Sequence, residues 1–373
     1  MNKKQLLTII SMLSAIVVLL AVFTGLLMYR KFDFAKGKPG NIVENTPEDV
    51  VQATSPEQGI AGNGINDVPE DIETDGWSID SLKVGKVTAI DHLIQYNANI
   101  GTIENAEKEL KAYGTEQREK YDNPAVKEIE KRIESESGIF AVNLGEMDEE
   151  TALDVEKAVV YMFDRYPQLK GNLTNITLAN LDSFSSGHLA ITQFREYIIN
   201  GEFTVTPYVV KHEILLGAAY FMRRDMLIKS CEEGVKQGHW PEGMNVSAVI
   251  AHELGHQVLN VYEMKHFGLN HPYYITEENK DAFSQYITDG LKVNQTVAKS
   301  VVDTAYSEWE KNHAGKSYEE FCLDISGYAT GVQKDGGISY SETVAEALTD
   351  IYLNGSNASE ASACIEAVLI EGL

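Results

Sequence analysis

Two histidines four residues apart lie within an apolar stretch at residues 249–259, which reads VIAHELGHQVL. On an α-helix, His252 and His256 lie on one face, one turn apart, so both imidazoles can bind a single metal ion. Glu253 is adjacent to the first histidine, where its carboxylate can accept a proton from a metal-bound water. Burying these side chains would cost roughly several kcal/mol unless they were paired or bound to a metal. The apolar neighbours therefore favour a buried metal-binding helix over a chance H-E-x-x-H on a solvated helix.

A third ligand has to come from another part of the chain, because a catalytic zinc site has three protein ligands and one open position. The extended motif H-E-x-x-H-x-x-G-x-x-H is absent, since Tyr262 occupies its last position. The candidates are Glu342 and Glu346, four apart on a predicted helix at 341–352. One carboxylate can bind the metal, and the other can accept a hydrogen bond from a ligating histidine. Their apolar neighbours favour burial over a solvated pair.

The remaining histidines are expected not to bind the metal, and His239, in the loop before the metal helix, is the one most open to revision. They are His188, His212, His239, His266, His271 and His313.

The net charge of −25 excludes a nucleic-acid-binding role, because phosphate binding needs basic patches. Three widely spaced cysteines indicate neither a disulfide framework nor a cysteine-type zinc site.

Residues 1–31 are predicted to form a transmembrane anchor. Leu6 to Tyr29 runs for 24 residues without a charge, whereas a signal-peptide core has about 7–15 apolar residues and a membrane span about 20. The absence of a good small-x-small cleavage site favours an uncleaved single-pass anchor over a cleaved signal peptide. Basic residues flank both ends of the run, and the positive-inside rule alone leans toward a cytoplasmic body. We nevertheless expect an extracellular body on a bacterial cell, because signal anchors usually keep a short N-terminal tail inside.

The rest of the chain divides into three predicted parts. Residues 32–77 are rich in Gly, Pro, Asn and Asp and predict a flexible linker. Residues 78–137 predict a helical arm, with apolar residues at steps of three and four and a break at Asn123-Pro124. The arm either binds a protein partner or packs, as ordinary helices, on the domain that follows. Residues 138–373 predict that domain.

The pattern within residues 138–373 predicts an α+β fold, in which a small mixed sheet packs on the metal helix and on a C-terminal helix with the two glutamates. Predicted strands lie at 175–181, 188–192, 203–210 and 213–221. Predicted helices lie at 148–166, 224–236, 341–352 and 357–370, with a mostly helical segment at about 275–325. Asn245 or Ser247 is expected to cap the metal helix, and Ser341 the later one.

The sequence HELGH at 252–256, followed by ETVAEAL at 342–348, resembles the zincin metallopeptidases that have a glutamate as third ligand. Within these it is most similar to the lethal-factor-like group, which includes anthrax lethal factor and peptidase domains of phage and mobile-element proteins. The resemblance covers about residues 139–360 and implies a zincin-like catalytic domain. It implies that His252, His256 and Glu342 bind Zn²⁺ and that Glu346 supports them.

A tyrosine that stabilises the oxyanion is a further feature of this group, and the piece Ser326-Gly327-Tyr328-Ala329 implies that Tyr328 has this role. The Trp-Pro-x-Gly piece at 240–243 is also similar. Two spacings depart from the pattern. The 86 residues from His256 to Glu342 imply a helical insertion, and the 14 residues from Tyr328 to Glu342 leave Tyr340 as a rival.

The expected function is a membrane-anchored zinc-dependent endopeptidase, with Glu253 as general base and a protein or peptide as substrate. A strand before the metal helix, at about 213–219, is expected to pair with the substrate by strand addition. Two alternatives remain. One is a non-enzymatic surface or interaction protein with a structural or vestigial zinc site, for which Glu253 would have no use. The other is a zinc hydrolase of cell-wall peptide cross-links.

Overall fold

The computed structural model describes a large part of the chain beyond the predicted linker. The described residues are Ala89, 103–179, 190–193, 196–197, 209–210, 212–270, 278–290, 295–332 and 337–373. The predicted anchor (1–31), the linker (32–77) and the first part of the predicted arm thus lie outside the described residues, apart from Ala89. Among the helices of the described ranges, none combines the length and the apolar character that crossing a membrane requires.

The described residues form a helix-rich fold with a small mixed sheet, so the α+β class is confirmed at this coarse level. The helices are α1 (Ile103–Arg118), α2 (Pro124–Ser137), α3 (Glu149–Arg165), α4 (Ala218–Phe221), α5 (Arg224–Lys236), α6 (Val246–His266), α7 (Lys280–Gly290), α8 (Thr296–Glu310), α9 (Tyr318–Leu323), α10 (Tyr340–Asn354) and α11 (Glu360–Gly372). The strands are β1 (Ala141–Asn143), β2 (Asn175–Ala179), β3 (Ala190–Gln193), β4 (Glu196–Tyr197), β5 (Val209–Val210) and β6 (Glu213–Gly217).

The main sheet has the strand order β1-β2-β6-β3. The first three strands are parallel, with Val142 opposite Ile176 and Ile176 opposite Ile214, and β3 pairs antiparallel with β6. Both β2 and β6 are buried throughout, as strands covered on both faces require. Of the predicted strand at 203–210, only 209–210 are described, and they pair antiparallel with β4.

The prediction for residues 213–221 is wrong in two respects. The strand ends at Gly217, and the chain turns directly into α4, where Ala218 and Ala219 favour helix over strand. In addition, β6 pairs with β2 on one side and with β3 on the other. Residues 213–216 are therefore paired on both sides and 218–219 are helical, so the segment 213–219 cannot receive a substrate strand. In the described part of the chain, β3 is the last strand on that side of the sheet.

Helix α6 is the centre of the fold. It has 21 residues, and every side chain from Val246 to Leu259 is buried. A helix that is covered all round in this way is an interior helix, with other helices on several of its faces. Both α3 and α10 pack against it. The Asn245 side chain accepts from the N–H of Ala248 over 3.1 Å, so the cap is Asn245 and not Ser247.

The described part of the predicted arm packs on the sheet and on α3. Gly114 of α1 lies so close to β1 that an added Cβ would be 2.7 Å from the Cβ of Ala141. Glu130 of α2 is fully buried and accepts from Arg118 over 2.9 Å and from the N–H of Leu144 over 2.5 Å. These contacts satisfy a buried charge and join both helices to the end of β1.

Helices α7, α8 and α9 occupy the long interval between the HELGH sequence and α10. Helix α8 packs against α10 and α11, with Val301, Val302 and Trp309 among its buried residues. Asp350, near the end of α10, accepts from the N–H of Ser359 over 2.8 Å and thereby fixes the start of α11. The expected helical insertion is therefore part of the packed body.

A second polar group lies on α6, at the end away from the HELGH sequence. Glu263 is 3% exposed, and burial, followed by the charge of Asp289, raises its pKa to about 8. Asp289 accepts from the backbone N–H groups that open α8. Tyr286 bonds to His212 over 2.8 Å, and burial lowers the pKa of His212 to about 3. The folded protein therefore favours a protonated Glu263.

The raised pKa of Glu263 predicts that the contribution of this residue to stability falls as pH rises from about 4.5 to about 8, whereas the lowered pKa of His212 acts in the opposite sense between about 3 and 6.5. In the first window folded Glu263 retains a proton that the unfolded chain has released, and each unit of pKa difference corresponds to about 1.4 kcal/mol. Glu263→Gln should remove this contribution, so the stability of the variant relative to the wild type should increase with pH, by up to a few kcal/mol at pH 8.5, measured by urea denaturation. The control is Glu310→Gln at an exposed position. A stability difference between Glu263→Gln and the wild type that stays constant from pH 4.5 to pH 8.5 would contradict the prediction.

Candidate metal centre

His252, His256 and Glu342 meet in the interior between α6 and α10. The Oε2 atom of Glu342 lies 3.2 Å from Nε2 of His252 and 3.5 Å from Nε2 of His256. The two Nε2 atoms are 3.2 Å apart. All three side chains are buried. Within the described ranges, this trio is the group of His, Cys, Asp or Glu side chains whose atoms converge closely enough to hold a metal ion.

The spacing of the three atoms fits a zinc ion. Tetrahedral zinc with bonds of about 2.0–2.1 Å to nitrogen and oxygen places neighbouring ligand atoms roughly 3.3–3.4 Å apart. The observed separations of 3.2, 3.2 and 3.5 Å bracket that value. Neither carboxylate oxygen of Glu342 meets full hydrogen-bond geometry with a donor in the described part of the chain, although the Nε2 atoms of both histidines lie within 3.5 Å of Oε2. Because buried carboxylates are normally satisfied, these oxygens indicate a missing partner such as a cation.

The charges around the trio also favour a cation. Burial opposes ionisation of Glu342, but the charge of His256 and the interactions with both histidines outweigh it and lower the pKa of Glu342 to about 2. Burial likewise opposes the charging of His252, but Glu342 and Glu346 raise its pKa well above the usual value. A proton thus stabilises the metal-free site, and a bound metal would replace it.

Close packing of two helices produces this convergence. A Cβ added to Gly255 would lie 3.0 Å from the Cα of Ala345, so the helices touch backbone to backbone between the histidines and the glutamates. Glu342 lies in the first turn of α10, where the helix dipole stabilises a negative charge. The prediction that Ser341 caps this helix is wrong, because α10 begins at Tyr340 and Ser341 lies inside its first turn.

Glu346 lies one turn further along α10 and contacts the other nitrogen of a candidate ligand. Its Oε1 atom is 2.9 Å from Nδ1 of His252, within ion-pair distance, although the two atoms do not meet full hydrogen-bond geometry. Its Oε2 atom accepts from the hydroxyl of Ser326 over 2.6 Å. This contact is suited to fixing the ring so that Nε2 points at the metal position, which is the supporting role expected from the sequence.

Tyr328 lies on a 3-10 turn, Tyr328–Thr330, at the edge of the site. The centre of its ring is 6.0 Å from that of His252. Burial, and then the charges of Glu342, Glu346 and Glu253, raise the pKa of Tyr328 well above its usual value. The phenol is therefore held in its protonated form, in which it can donate a hydrogen bond.

The rival tyrosine has different neighbours. The ring centre of Tyr340 is 6.4 Å from that of Tyr318, and Lys299 lies 5.5 Å above the Tyr340 ring. The 14-residue separation between Tyr328 and Glu342 results from a turn back toward α10. In it, the N–H of Ser339 donates to the carbonyl of Gly331 over 2.7 Å, and Val332 forms a bridge with Ile338.

The turn that carries Tyr328 is attached to the loop before α6. The N–H of Tyr328 donates to the carbonyl of His239 over 2.8 Å, and that of Gly327 donates to Gly238 over 3.1 Å. A Cβ on Gly327 would lie 2.4 Å from the Gly238 oxygen, so only glycine permits this approach. The two residues attached here also touch through their side chains, since the ring centres of His239 and Tyr328 are 4.7 Å apart.

Among the histidines predicted not to bind the metal, His239 is thus a neighbour of the site. The others in the described ranges lie in different surroundings. His212 contacts Tyr286, His313 stacks on Trp309 and His266 is exposed at the end of α6. His188 and His271 lie outside the described residues.

Glu253 lies on α6 beside the first histidine and is 6% exposed. It is close enough to Tyr328 for its charge to raise the pKa of that phenol. The arrangement therefore combines two nitrogens and one carboxylate for a metal with a carboxylate base and a phenol donor. Together these groups could activate a water and stabilise a developing oxyanion.

Comparisons with known proteins add no relative to this picture. The chain matches no protein-family model, no curated protein and no solved structure at a significant level.

Sequence reasoning missed the parts played by Ser326 and Gly327. Both belong to the four-residue piece that indicated Tyr328, but neither had an assigned role. Their contacts are with Glu346 and Gly238, which lie 20 and 89 residues away. A small residue directly before a candidate tyrosine was the available signal for close backbone approach.

The contact at Gly255 predicts that Gly255→Val weakens metal binding at least tenfold. The larger side chain must push α10 away, and Glu342 moves with it, although valine is the better helix former. Zinc affinity can be measured by competition with a chromogenic chelator. The control is Ala363→Val at an exposed position of α11, and equal zinc affinities in the two variants would contradict the prediction.

Proposed function

We propose that this protein is a zinc-dependent endopeptidase of the zincin type, similar to the lethal-factor-like group. The observation that carries the proposal is the convergence of His252, His256 and Glu342 at separations of 3.2–3.5 Å. The presence of buried Glu253 beside these groups favours catalysis over a structural site. A structural zinc site normally has four protein ligands and needs no adjacent base.

In this proposal His252, His256 and Glu342 hold the zinc ion. When bound, zinc supplies Lewis acidity, which polarises a peptide carbonyl and makes a water molecule more acidic. Glu253 takes the proton from the attacking water and delivers it to the leaving amine. Tyr328 donates its phenol proton in a hydrogen bond to the carbonyl oxygen as negative charge develops there. Glu346 holds the ring of His252 in place through Nδ1.

The strand beside the metal helix suggests how a peptide substrate binds. Strand β3 contacts α6 and, in the described residues, pairs only with β6. We propose that an extended peptide adds to the other side of β3, where main-chain hydrogen bonds would provide affinity independent of sequence. This assignment replaces residues 213–219, of which 213–216 are already paired on both sides and 218–219 belong to α4.

A membrane-anchored, extracellular location remains part of the proposal. It depends on the uncharged run Leu6–Tyr29, which lies outside the described residues. A partner for the predicted arm has no specific support from the structure, since residues 103–137 pack on the body.

The first test separates metal binding from chemistry. Glu253→Gln should keep about one zinc per chain, measured by atomic absorption, and lose at least about 100-fold in kcat on a peptide library, because the general base is gone. Glu310→Gln, at an exposed position, is the matched control for the loss of one carboxylate. Glu342→Ala should instead lose the zinc itself.

Three outcomes would count against the proposal or part of it. A wild-type protein that binds zinc but cleaves nothing in a broad library would favour the interaction-protein alternative. Full cleavage by Glu253→Gln would assign the base to another residue. Cleavage of cross-linked peptidoglycan peptides, but not of proteins, would favour the cell-wall hydrolase.

The second test decides between the two tyrosines. Tyr328→Phe should lower kcat on the order of 100-fold with zinc content unchanged, since one oxyanion donor is lost. Tyr340→Phe should leave kcat within a factor of two. The hydroxyl that it removes belongs to a ring whose neighbours are Tyr318 and Lys299. The reverse ranking of the two variants would transfer the role to Tyr340.

A further inference from the structure

Ser326 connects two parts of the site that come from different elements. Its hydroxyl donates to Oε2 of Glu346 over 2.6 Å and accepts from the N–H of Ala329 over 3.0 Å. Ser326 is 6% exposed and Glu346 is fully buried. A serine hydroxyl has one proton to donate, so the bond to the carboxylate and the bond from the amide together define its orientation.

Each partner of Ser326 leads to a group of the candidate site. Glu346 continues to Nδ1 of His252, at 2.9 Å, and the Nε2 atom of that ring faces Glu342. Ala329 directly follows Tyr328, and its carbonyl accepts from the hydroxyl of Thr343 over 2.7 Å. A continuous series of polar contacts thus runs from a candidate metal ligand, through Glu346 and Ser326, to the turn that carries the tyrosine.

We propose that Ser326 is a positioning residue that couples metal binding at His252 to the ordering of the Tyr328 turn. The predicted effect of Ser326 on metal binding does not depend on the proposed function. The benefit to catalysis rests on the proposed function. Without the hydroxyl, the buried carboxylate of Glu346 loses a donor and the Ala329 N–H loses an acceptor. The histidine ring and the turn would then be fixed less firmly, and a change at one would no longer reach the other.

A second buried serine provides a matched control. Ser362 is fully buried, and its hydroxyl donates to Oδ2 of Asp350 over 2.7 Å at the junction of α10 and α11. Ser362→Ala therefore removes a bond of the same kind, with a similar expected loss of stability. It lies outside the series of contacts that reaches the metal position.

The first measurement is the zinc dissociation constant of the full chain, by chelator competition. We expect Ser326→Ala to bind zinc about 10–100-fold more weakly, the usual effect of removing a supporting contact. Ser362→Ala should stay within a factor of two of the wild type. Equal dissociation constants for the two variants would overturn the proposal that Ser326 supports metal binding.

The second measurement is hydrogen exchange of the backbone amides at 326–330, with and without zinc. In the wild type, zinc should slow exchange of the Ala329 amide at least tenfold, and Ser326→Ala should abolish this protection while Ser362→Ala retains it. The coupling is refuted if zinc does not slow amide exchange of the turn in the wild type. It is also refuted if zinc slows that exchange equally in Ser326→Ala. If Ser326→Ala does not fold, Ser326→Cys, with a weaker donor of similar size, is judged by the same comparisons. Neither measurement requires peptide cleavage. A failure of the proposal for Ser326 is therefore distinguishable from a failure of the peptidase proposal.

Discussion

The backbone contact between α6 and α10 at Gly255 and Ala345 determines the candidate site. Each helix contributes a pair of polar residues at a spacing of four, and the two pairs face each other across this contact. Because residues four apart lie on one helical face, a single close approach aligns both pairs at once. A side chain at position 255 would separate them, so the candidate metal site depends on the absence of a Cβ there as well as on the residues that could hold the ion.

Burial makes the same arrangement costly without a cation. Three carboxylates, those of Glu253, Glu342 and Glu346, lie around two histidines in the interior. The proton that the raised pKa of His252 retains offsets only part of this negative charge. A divalent ion would offset more of it in a single step, which is why buried charges of this kind are commonly found coordinating metals. The polar interior thus lies at a position where binding a cation would recover the cost.

The parts of the site that the sequence predicted are those with a local pattern. The helix around His252 and the pair on α10 follow from periodicity, and Asn245 as one of two possible caps follows from its place before an apolar run. The central position of β6 could not be predicted, because it depends on pairing with β2 and with β3, which lie apart in the sequence. The contact of Ser326 with Glu346 joins a turn to a helix, and no spacing rule encodes it. Capping by Ser341 failed because α10 begins one residue earlier, at Tyr340, which places Ser341 inside the first turn.

The 86 residues between His256 and Glu342 are a weak guide to whether these residues share a site. The entropic cost of closing a loop grows only with the logarithm of its length, at about 0.6 kcal/mol per doubling. The interval is also not a loose loop, since α8 packs against α10 and α11 and recovers apolar burial. A segment that folds onto the helix carrying Glu342 can support that helix. The decisive comparison with other metal sites is therefore the separation of the ligand atoms and not the separation of the ligands along the chain.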